Sequence, residues 1–501
     1  MPHMHYTFDT DNGALKELHD AALAGLAANV VRVAGYDRSV LIEGAEYQGI
    51  WLECGPLEGA CYGVIRPSVA IDNHRIFFKL QHDDGYLPCF IRRGEFGTAQ
   101  IQTVVPIAAT AFEVYQRTGD REFLEEAYDA CIKWEAWLVR HRDTRGTGLC
   151  EVFCEWDTGH DNSPRLSDVP HGCPDGDASK CPATRNLPWI APDLSATLFG
   201  GRIALANMAE ALGRNFEAGK WRLVYAEKVR RGILAHCYNP EDACFYDLDA
   251  TNKWVRVRGD ALTRVLSEHV VDQPLFDTIF ERQIGNPAAF WTEYPLPSIA
   301  ADDPAFVKSL PWNSWGGAAQ GLTALRAPRW LPHYGKHAAM THMTRQWLTA
   351  LTRDTAFYQQ MNPFTGDFIH AKGAGGTYSP TMLVMIEYTA RLYGVMWTPT
   401  GIEWNVRVPD GATVARHEVA SPAGMLVIEN ALSGATLTID GREIGIVGGP
   451  CRIVTSHDGQ LQRIVGTEGV PVEVSLTGFG ATGTGTLPLA PDEVKVLASG
   501  R

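Results

Sequence analysis

Apolar residues over the first four-fifths of the chain recur at helical spacing. Leu15, Leu18, Ala22, Leu26 and Val30 make one stripe across residues 13–31, which predicts an amphipathic helix. A β-like stretch near 38–65 follows, carrying two glycine-rich aromatic turns, Tyr47-Gln-Gly-Ile-Trp51 and Glu53-Cys-Gly-Pro-Leu-Glu58. Ile101, Val104, Val105, Ala108, Phe112 and Tyr115 then repeat with helical period up to Thr118. Gly119 is a stop signal, and Asp120 an N-cap for a partner helix bearing Phe123, Ala127, Cys131, Trp134 and Leu138. Two amphipathic helices joined by so tight a turn form an αα-hairpin, with Trp134 and Trp137 in its packing face. The pattern returns at 194–212 with 216–237, at 260–265 with 275–284, at 315–325 with 334–351, and at 380–393. About a dozen helices are predicted in all.

The period changes after Trp397. Short Val/Ile/Thr runs at 403–408, 425–428, 435–439, 452–455 and 472–476 alternate with turns, and Asp440-Gly441 is a hairpin pair. The fold class is therefore mainly α: a toroid of helical hairpins over 1–397, followed by an all-β, sandwich-like domain over 398–501.

Charge and composition narrow the function. A net charge of −14, from 58 acidic and 44 basic residues, argues against nucleic acid and anionic membranes as partners. No apolar run of about 18 residues predicts a membrane span. The start MPHMHYTFDTDNG has neither a basic n-region nor an apolar h-region, and eleven cysteines lie scattered without a framework. Both features lead us to expect a cytoplasmic protein. Cys173 and Cys181, near His171, lack zinc-type spacing and read as thiols without a metal. No nucleotide or nicotinamide fingerprint is present, so no cofactor is expected.

The longest connection, 143–192, holds Cys154-Glu-Trp-Asp-Thr-Gly-His-Asp-Asn-Ser-Pro-Arg165. Asp-Asn-Ser-Pro is ordinary turn chemistry, but a long loop on a helical scaffold, dense in carboxylates with a Trp, a His and an Arg, points to a site. Trp156-Asp-Thr-Gly-His-Asp-Asn-Ser-Pro-Arg165 resembles the Trp-Glu-Ser-Gly-x-Asp-Asn-Ser-Pro-Arg signature of glycoside hydrolase family 63. That family includes mannosylglycerate hydrolase and processing α-glucosidases and is related to trehalases. Thr118-Gly-Asp-Arg-Glu-Phe123, Asp193-Leu-Ser-Ala196, Asn362-Pro-Phe-Thr-Gly366 and Tyr378-Ser-Pro380 are similar to further family segments, in the family's order.

The resemblance implies an (α/α)6 barrel and makes Asp161 the general acid of an inverting, exo-acting glycosidase on short oligosaccharides or glycosides. Such an acid must keep its proton near neutral pH, and Trp156 is a candidate apolar wall for it. Arg165 paired to Asp161 would spoil that, so Arg165 is read as an anchor for the loop or for a substrate oxygen, beside Asp157 and His160. The family's general base, a Glu four residues before the Pro of Asn-Pro-x-Thr-Gly, is replaced here by Gln359, and an amide takes no proton from water. Glu293, in Phe290-Trp-Thr-Glu-Tyr-Pro-Leu-Pro297, is the first substitute; Glu53, Glu58 and Asp157 are others, Asp157 being too close to Asp161 in sequence to oppose it reliably.

Trp291, Trp312, Trp315 and Tyr378 supply faces for sugar rings, with Gln359 and Gln360 beside them. The missing Glu keeps a second class open. A lyase on a uronate-containing sugar would use Gln359, Gln360 and His82, and a sugar epimerase or a non-catalytic sugar binder would suit the same barrel.

Overall fold

Proline and glycine set many of the helix boundaries. The computed structural model describes residues 5–373, 375–479 and 485–496; the rest of the expected 1–397 and 398–501 spans lies outside the described residues. Helix α1 (Gly13–Ala28) starts behind Asn12, whose side chain accepts from the Leu15 amide. Helices α2 (Gly55–Tyr62) and α3 (Pro67–Lys79) each carry a proline in the first turn. Helix α4 (Ile107–Thr118) ends at Gly119, which is left-handed with φ 66°, and Asp120 caps α5 (Arg121–Arg142) by accepting from Phe123. Next come α6 (Pro192–Ala211), α7 (Asn215–Lys220) and α8 (Glu227–Gly232), the last two continued by π-helical segments Trp221–Ala226 and Ile233–Cys237. Helices α9 (Ala261–Ser267), α10 (Gln273–Ile279), α11 (Gly321–Arg326), α12 (His337–Asp354) and α13 (Ser379–Tyr393) complete the helical part. Among the described residues no helix is long and apolar enough to cross a membrane.

Four sequence expectations are corrected. The 13–31 stripe stops at Ala28, because Val30–Arg32 pairs as a strand with Ser39–Leu41. Ile101, Val104 and Val105 are buried but precede α4, since Pro106 holds an extended conformation at its N-cap. The Glu53–Glu58 turn opens α2, proline in a first helical turn having the same local sequence as proline in a β-turn. Of 315–325, only the part from Gly321 is helical.

The helices divide by burial. α6 and α13 are buried on nearly every face, whereas α5 and α12 bury one stripe. α2 packs on α4, α4 on α6, α6 on α9, and α9 on the turn Ala327–Arg329 that extends α11; α11 packs on α13, and α13 returns to α2. Most of the remaining helices lie against this closed sequence, α3 on α2, α5 on α4 and α6, α7 and α8 on α6, and α12 and α1 on α13.

The C-terminal part is two antiparallel sheets. One runs in the order Tyr6–Thr10, Val414–Ser421, Gly424–Ala431, Gly434–Ile439, Arg442–Gly448, Val472–Gly478, Gly485–Leu489. The other runs Val395–Thr398, Gly401–Val406, Cys451–Thr455, Leu461–Val465, Val494–Val496. Asp440 (φ 48°) and Gly441 (φ 74°) make the expected hairpin turn. Pairing of Tyr6 with Val419 brings the first strand of the chain into the C-terminal sheet, which periodicity alone did not foretell.

Candidate active site

Each helix of the closed sequence is preceded by a loop, and these six loops converge. Glu53 lies before α2, Gln102 before α4, Asp161 and Arg165 before α6, Asp247 and Asp260 before α9, Asn313 and Trp315 before α11, and Gln359 and Tyr378 before α13. Hydrogen bonds join them across the chain. Gln102 Nε2 donates to Glu53 Oε2 (2.8 Å), Arg165 Nε to Asp247 Oδ2 (2.6 Å), and the Trp315 amide to the Asp161 carbonyl (3.0 Å).

Asp161 is half-buried and touches no guanidinium. Asn313 Nδ2 donates to its Oδ2 (3.2 Å), Gln359 Nε2 donates to Asn313 Oδ1 (3.2 Å), and Tyr47 Oη donates to Gln359 Oε1 (2.9 Å). This relay runs one way, toward the carboxylate. Burial pushes the Asp161 carboxyl up to about 6; the Asn313 bond opposes the shift, and the Glu155 charge adds to it. A Glu at 359 could not donate to Asn313, so Gln359 is what turns the Asn313 NH2 group toward Asp161.

Glu53 stands beside it. Its carboxyl group lies against Gly159, where a Cβ would meet the carboxyl carbon at 2.6 Å and where φ is +66°, so only glycine fits. Burial pushes Glu53 up to about 7, against Arg264 and with the help of the Asp161 charge. Behind it Glu43 and Glu58 are buried; burial raises Glu58 to about 8, and burial with the Glu58 charge raises Glu43 well above the ordinary range. Glu53 and Asp161 are thus neighbouring carboxyls, both raised by burial above the ordinary carboxylate range.

A charged network fixes the loop from below. Arg165 is buried between Asp193 (2.7 and 2.8 Å) and Asp247 (2.6 and 2.6 Å), with both guanidinium edges used. Burial opposes the Asp193 charge, but Arg165 and Arg264 outweigh it and hold the carboxyl well below its usual range. His160 accepts at Nδ1 from Arg165 (3.1 Å), so Nε2 carries the proton and donates to Asp260 (3.2 Å). Burial, then Arg264, lower His160 to about 3, and it stays neutral at working pH. Its ring packs on Trp315, centroids 4.7 Å apart, and Arg264 covers the same indole. Arg165→Met leaves two buried carboxylates unpaired and is expected to cost about 3–5 kcal/mol in urea unfolding at pH 7. The Asp193 contribution is lost as pH falls through its depressed folded value, so the deficit narrows below about pH 4.

The remaining expected site residues separate. Trp156, stacked on His171 with centroids 6.0 Å apart, and Trp312 are each 38% exposed, and Tyr47, Trp51 and Gln359 are half-buried. Tyr378 is buried, its ring 6.0 Å from Tyr47. Asp157 does not face substrate: it is fully buried and accepts from the amides of Ile101, Phe153 and Cys154 and from Arg142. Gln360 is likewise fully buried and pins the Trp312 loop, accepting from the Ser314 amide and donating to the Pro311 carbonyl. Glu293 is exposed and accepts from Gln346 on α12, outside the carboxyl cluster. Trp291 packs against Phe280 and His342, also away from Asp161. His82 lies on a groove shared with Asp84, Trp137 and Lys180, so the set an eliminase would draw on is not brought together. Tyr47, Glu53 and Asn313 are the contributors that side-chain chemistry in sequence ranked too low or missed.

Residues 62–380 match the family described as "Mannosylglycerate hydrolase MGH1-like glycoside hydrolase domain". A search of curated proteins finds no match. Among solved structures, the family 63 mannosylglycerate hydrolase of Thermus thermophilus in complex with glucose is similar at a TM-score of 0.60 and 18% identity, over 74% of this chain and 99% of that one. The family 78 rhamnosidase of a Bacillus species gives 0.61 and 12%, over 85% of this chain and 40% of that one. The α-L-rhamnosidase of Aspergillus terreus gives 0.57 and 15%, over 99% of this chain and 50% of that one. At these identities the structural likeness is one of fold.

Proposed function

Because the chain belongs to the mannosylglycerate hydrolase MGH1-like glycoside hydrolase family, and is therefore a glycosidase, we propose that it cleaves short oligosaccharides or simple glycosides with inversion, Asp161 giving the proton and Glu53 activating the water. We read the closed sequence α2, α4, α6, α9, α11 and α13 as the inner ring of an (α/α)6 barrel, with the site at the helix N-termini. The observation that carries the assignment is Asp161 itself: half-buried, raised to about 6, bonded by an amide rather than a guanidinium, and electrostatically coupled to Glu53. Exo action on the end of a saccharide chain is part of this reading, with the buried Glu43 and Glu58 carboxyls behind Glu53. In this reading the part-exposed Trp156 and Trp312 stack on the sugar.

Glu53 replaces Glu293 as the base in this reading because Glu293 faces solvent beside α12. Between about pH 6 and 7 the pair shares one proton, and the reactive form is singly protonated. The resting proton favours Glu53 by about tenfold, and reaction passes through the form that carries it on Asp161. A bell-shaped profile of kcat/KM follows, with limbs near 6 and 7: below the lower limb the base is protonated, above the upper one the acid is lost.

The test is hydrolysis of a panel of α-glycosides, including glycosides of small hydroxy acids, followed by NMR of the freshly released anomer and a pH profile. The inverted anomer with a narrow bell is the expected result; a retained anomer, or a flat profile from pH 5 to 8, refutes the pairing. Gln359→Glu adds a check, since it reverses the Asn313 amide and adds a negative charge. Both effects raise Asp161, and the limb near 6 moves to higher pH.

A further inference from the structure

The loop that carries Asp161 begins and ends on cysteines that meet. Cys173 Sγ lies 3.5 Å from Cys154 Sγ and 4.0 Å from Cys181 Sγ. Among the described residues no other cysteine sulfurs are in hydrogen-bond contact with one another, although all eleven cysteines are free thiols. The buried Arg142 guanidinium is aimed at the same group, donating from Nη1 to Cys181 Sγ (2.9 Å) and the Ala178 carbonyl (2.8 Å), and from Nη2 to Cys173 Sγ (3.6 Å) and Asp157 (3.3 Å). Cys154 and Cys173 are buried, and Cys181 is partly exposed. Arg142 pulls Cys181 toward the thiolate, but the Cys173 contact and burial outweigh it, so the guanidinium positions the sulfurs rather than activating them.

We propose that Cys181, Cys173 and Cys154 form a thiol–disulfide exchange site that staples the Asp161 loop. The co-reactant is a small disulfide of the glutathione type. The Cys181 thiolate attacks one of its sulfurs, forming a mixed disulfide and releasing one small thiol. Cys173 Sγ then attacks Cys181 Sγ, forms the Cys173–Cys181 bond and releases the second thiol. Attack of Cys154 Sγ on Cys173 Sγ moves the bridge to Cys154–Cys173 and returns Cys181 to a thiol. Two protein thiols are oxidised, one small disulfide is reduced to two thiols, and the two protons leave with those thiols. The final bridge closes the segment holding His160, Asp161 and Arg165.

Two features decide between this chemistry and a metal. Cys154, Asp157 and Cys173 lie close enough together to share an ion. The Asp157 oxygens, however, already accept three backbone amides and Arg142, and a cation would sit against that guanidinium. The S–H···S bonds and burial hold Cys181 protonated while Arg142 pulls it down, so exchange is slow near neutrality and quickens with pH.

The test uses the full-length protein, reduced, desalted and incubated with glutathione disulfide at pH 8, then digested without reductant and mapped by mass spectrometry. The expected result is a cross-link from Cys173 to Cys181, giving way to one from Cys173 to Cys154. Both are reversed by dithiothreitol, and native-state proteolysis between Cys154 and Cys173 slows about tenfold. Cys181→Ser slows formation of the Cys154–Cys173 bridge about tenfold without changing its position. Bridges that map to other cysteines, or no bridge in the native protein under conditions that cross-link the urea-unfolded chain, overturn the proposal. So does stoichiometric zinc in the purified protein that Cys173→Ser releases.

Discussion

Asp161→Asn lowers kcat/KM on glycosides of ordinary alcohols by about 10²–10⁴-fold, the usual weight of a positioned proton donor. The substitution keeps size and the Asn313 contact, since an amide oxygen accepts from Nδ2 as a carboxylate does. What is lost is the proton delivered to the departing oxygen, so the deficit depends on how much that oxygen needs it. On an aryl glycoside with a nitrophenolate leaving group the loss shrinks at least about tenfold, whereas a residue that only shaped the pocket would cost the same on both substrates. Steady-state kinetics on the two substrates reads the difference, and unchanged urea unfolding shows the fold intact.

Glu53→Gln produces a loss of similar size, about 10²–10⁴-fold, that a better leaving group does not relieve. The missing function is proton removal from water, and azide needs no such help. Added azide therefore restores turnover as a glycosyl azide of inverted configuration, detected by NMR. Gln102 still has an oxygen to donate to in the variant, so its contact with position 53 persists. Glu293→Gln is expected to leave kcat/KM unchanged, because its carboxylate is exposed and bonded to Gln346. A loss there equal to that of Glu53→Gln would reverse the assignment of the base.

The two variants divide the site along a line the sequence only half displayed. Asp161 could be singled out because its chemistry sits in a contiguous segment, with Gly159 and Asn162 supplying the left-handed backbone (φ 66° and 56°) the loop turns on. Arg165 was legible as a loop anchor because a guanidinium on the acid would have defeated it; its partners Asp193 and Asp247 were not, being brought together by packing between loops. The proposed base was obscured for the same reason. Glu53 and Glu293 both lie in aromatic loops, and only the approach of Glu53 to Gly159 separates a half-buried carboxyl from a solvated one.

The helices show the complementary limit. Gly119 and Asp120 marked the α4–α5 turn unambiguously, since a left-handed stop and a cap are local chemistry. Gly55-Pro56 misled because that pair suits a turn and a first helical turn equally, and the choice is made by burial of α2 against α3 and α4. Gln359 was read as a deficiency. In the folded chain it is a donor in a relay that determines which way the Asn313 amide faces.

The proposed mechanism requires Asp161 and Glu53 to share a proton in the neutral range, and carbon-13 NMR of their carboxyl groups tests that without any substrate. The prediction is two coupled steps, near 6 and near 7, with the Glu53 step falling when Asp161→Asn removes the neighbouring charge. An Asp161 carboxyl that titrates near the ordinary aspartate value of about 3.9, or a Glu53 step that Asp161→Asn leaves unmoved, would contradict it.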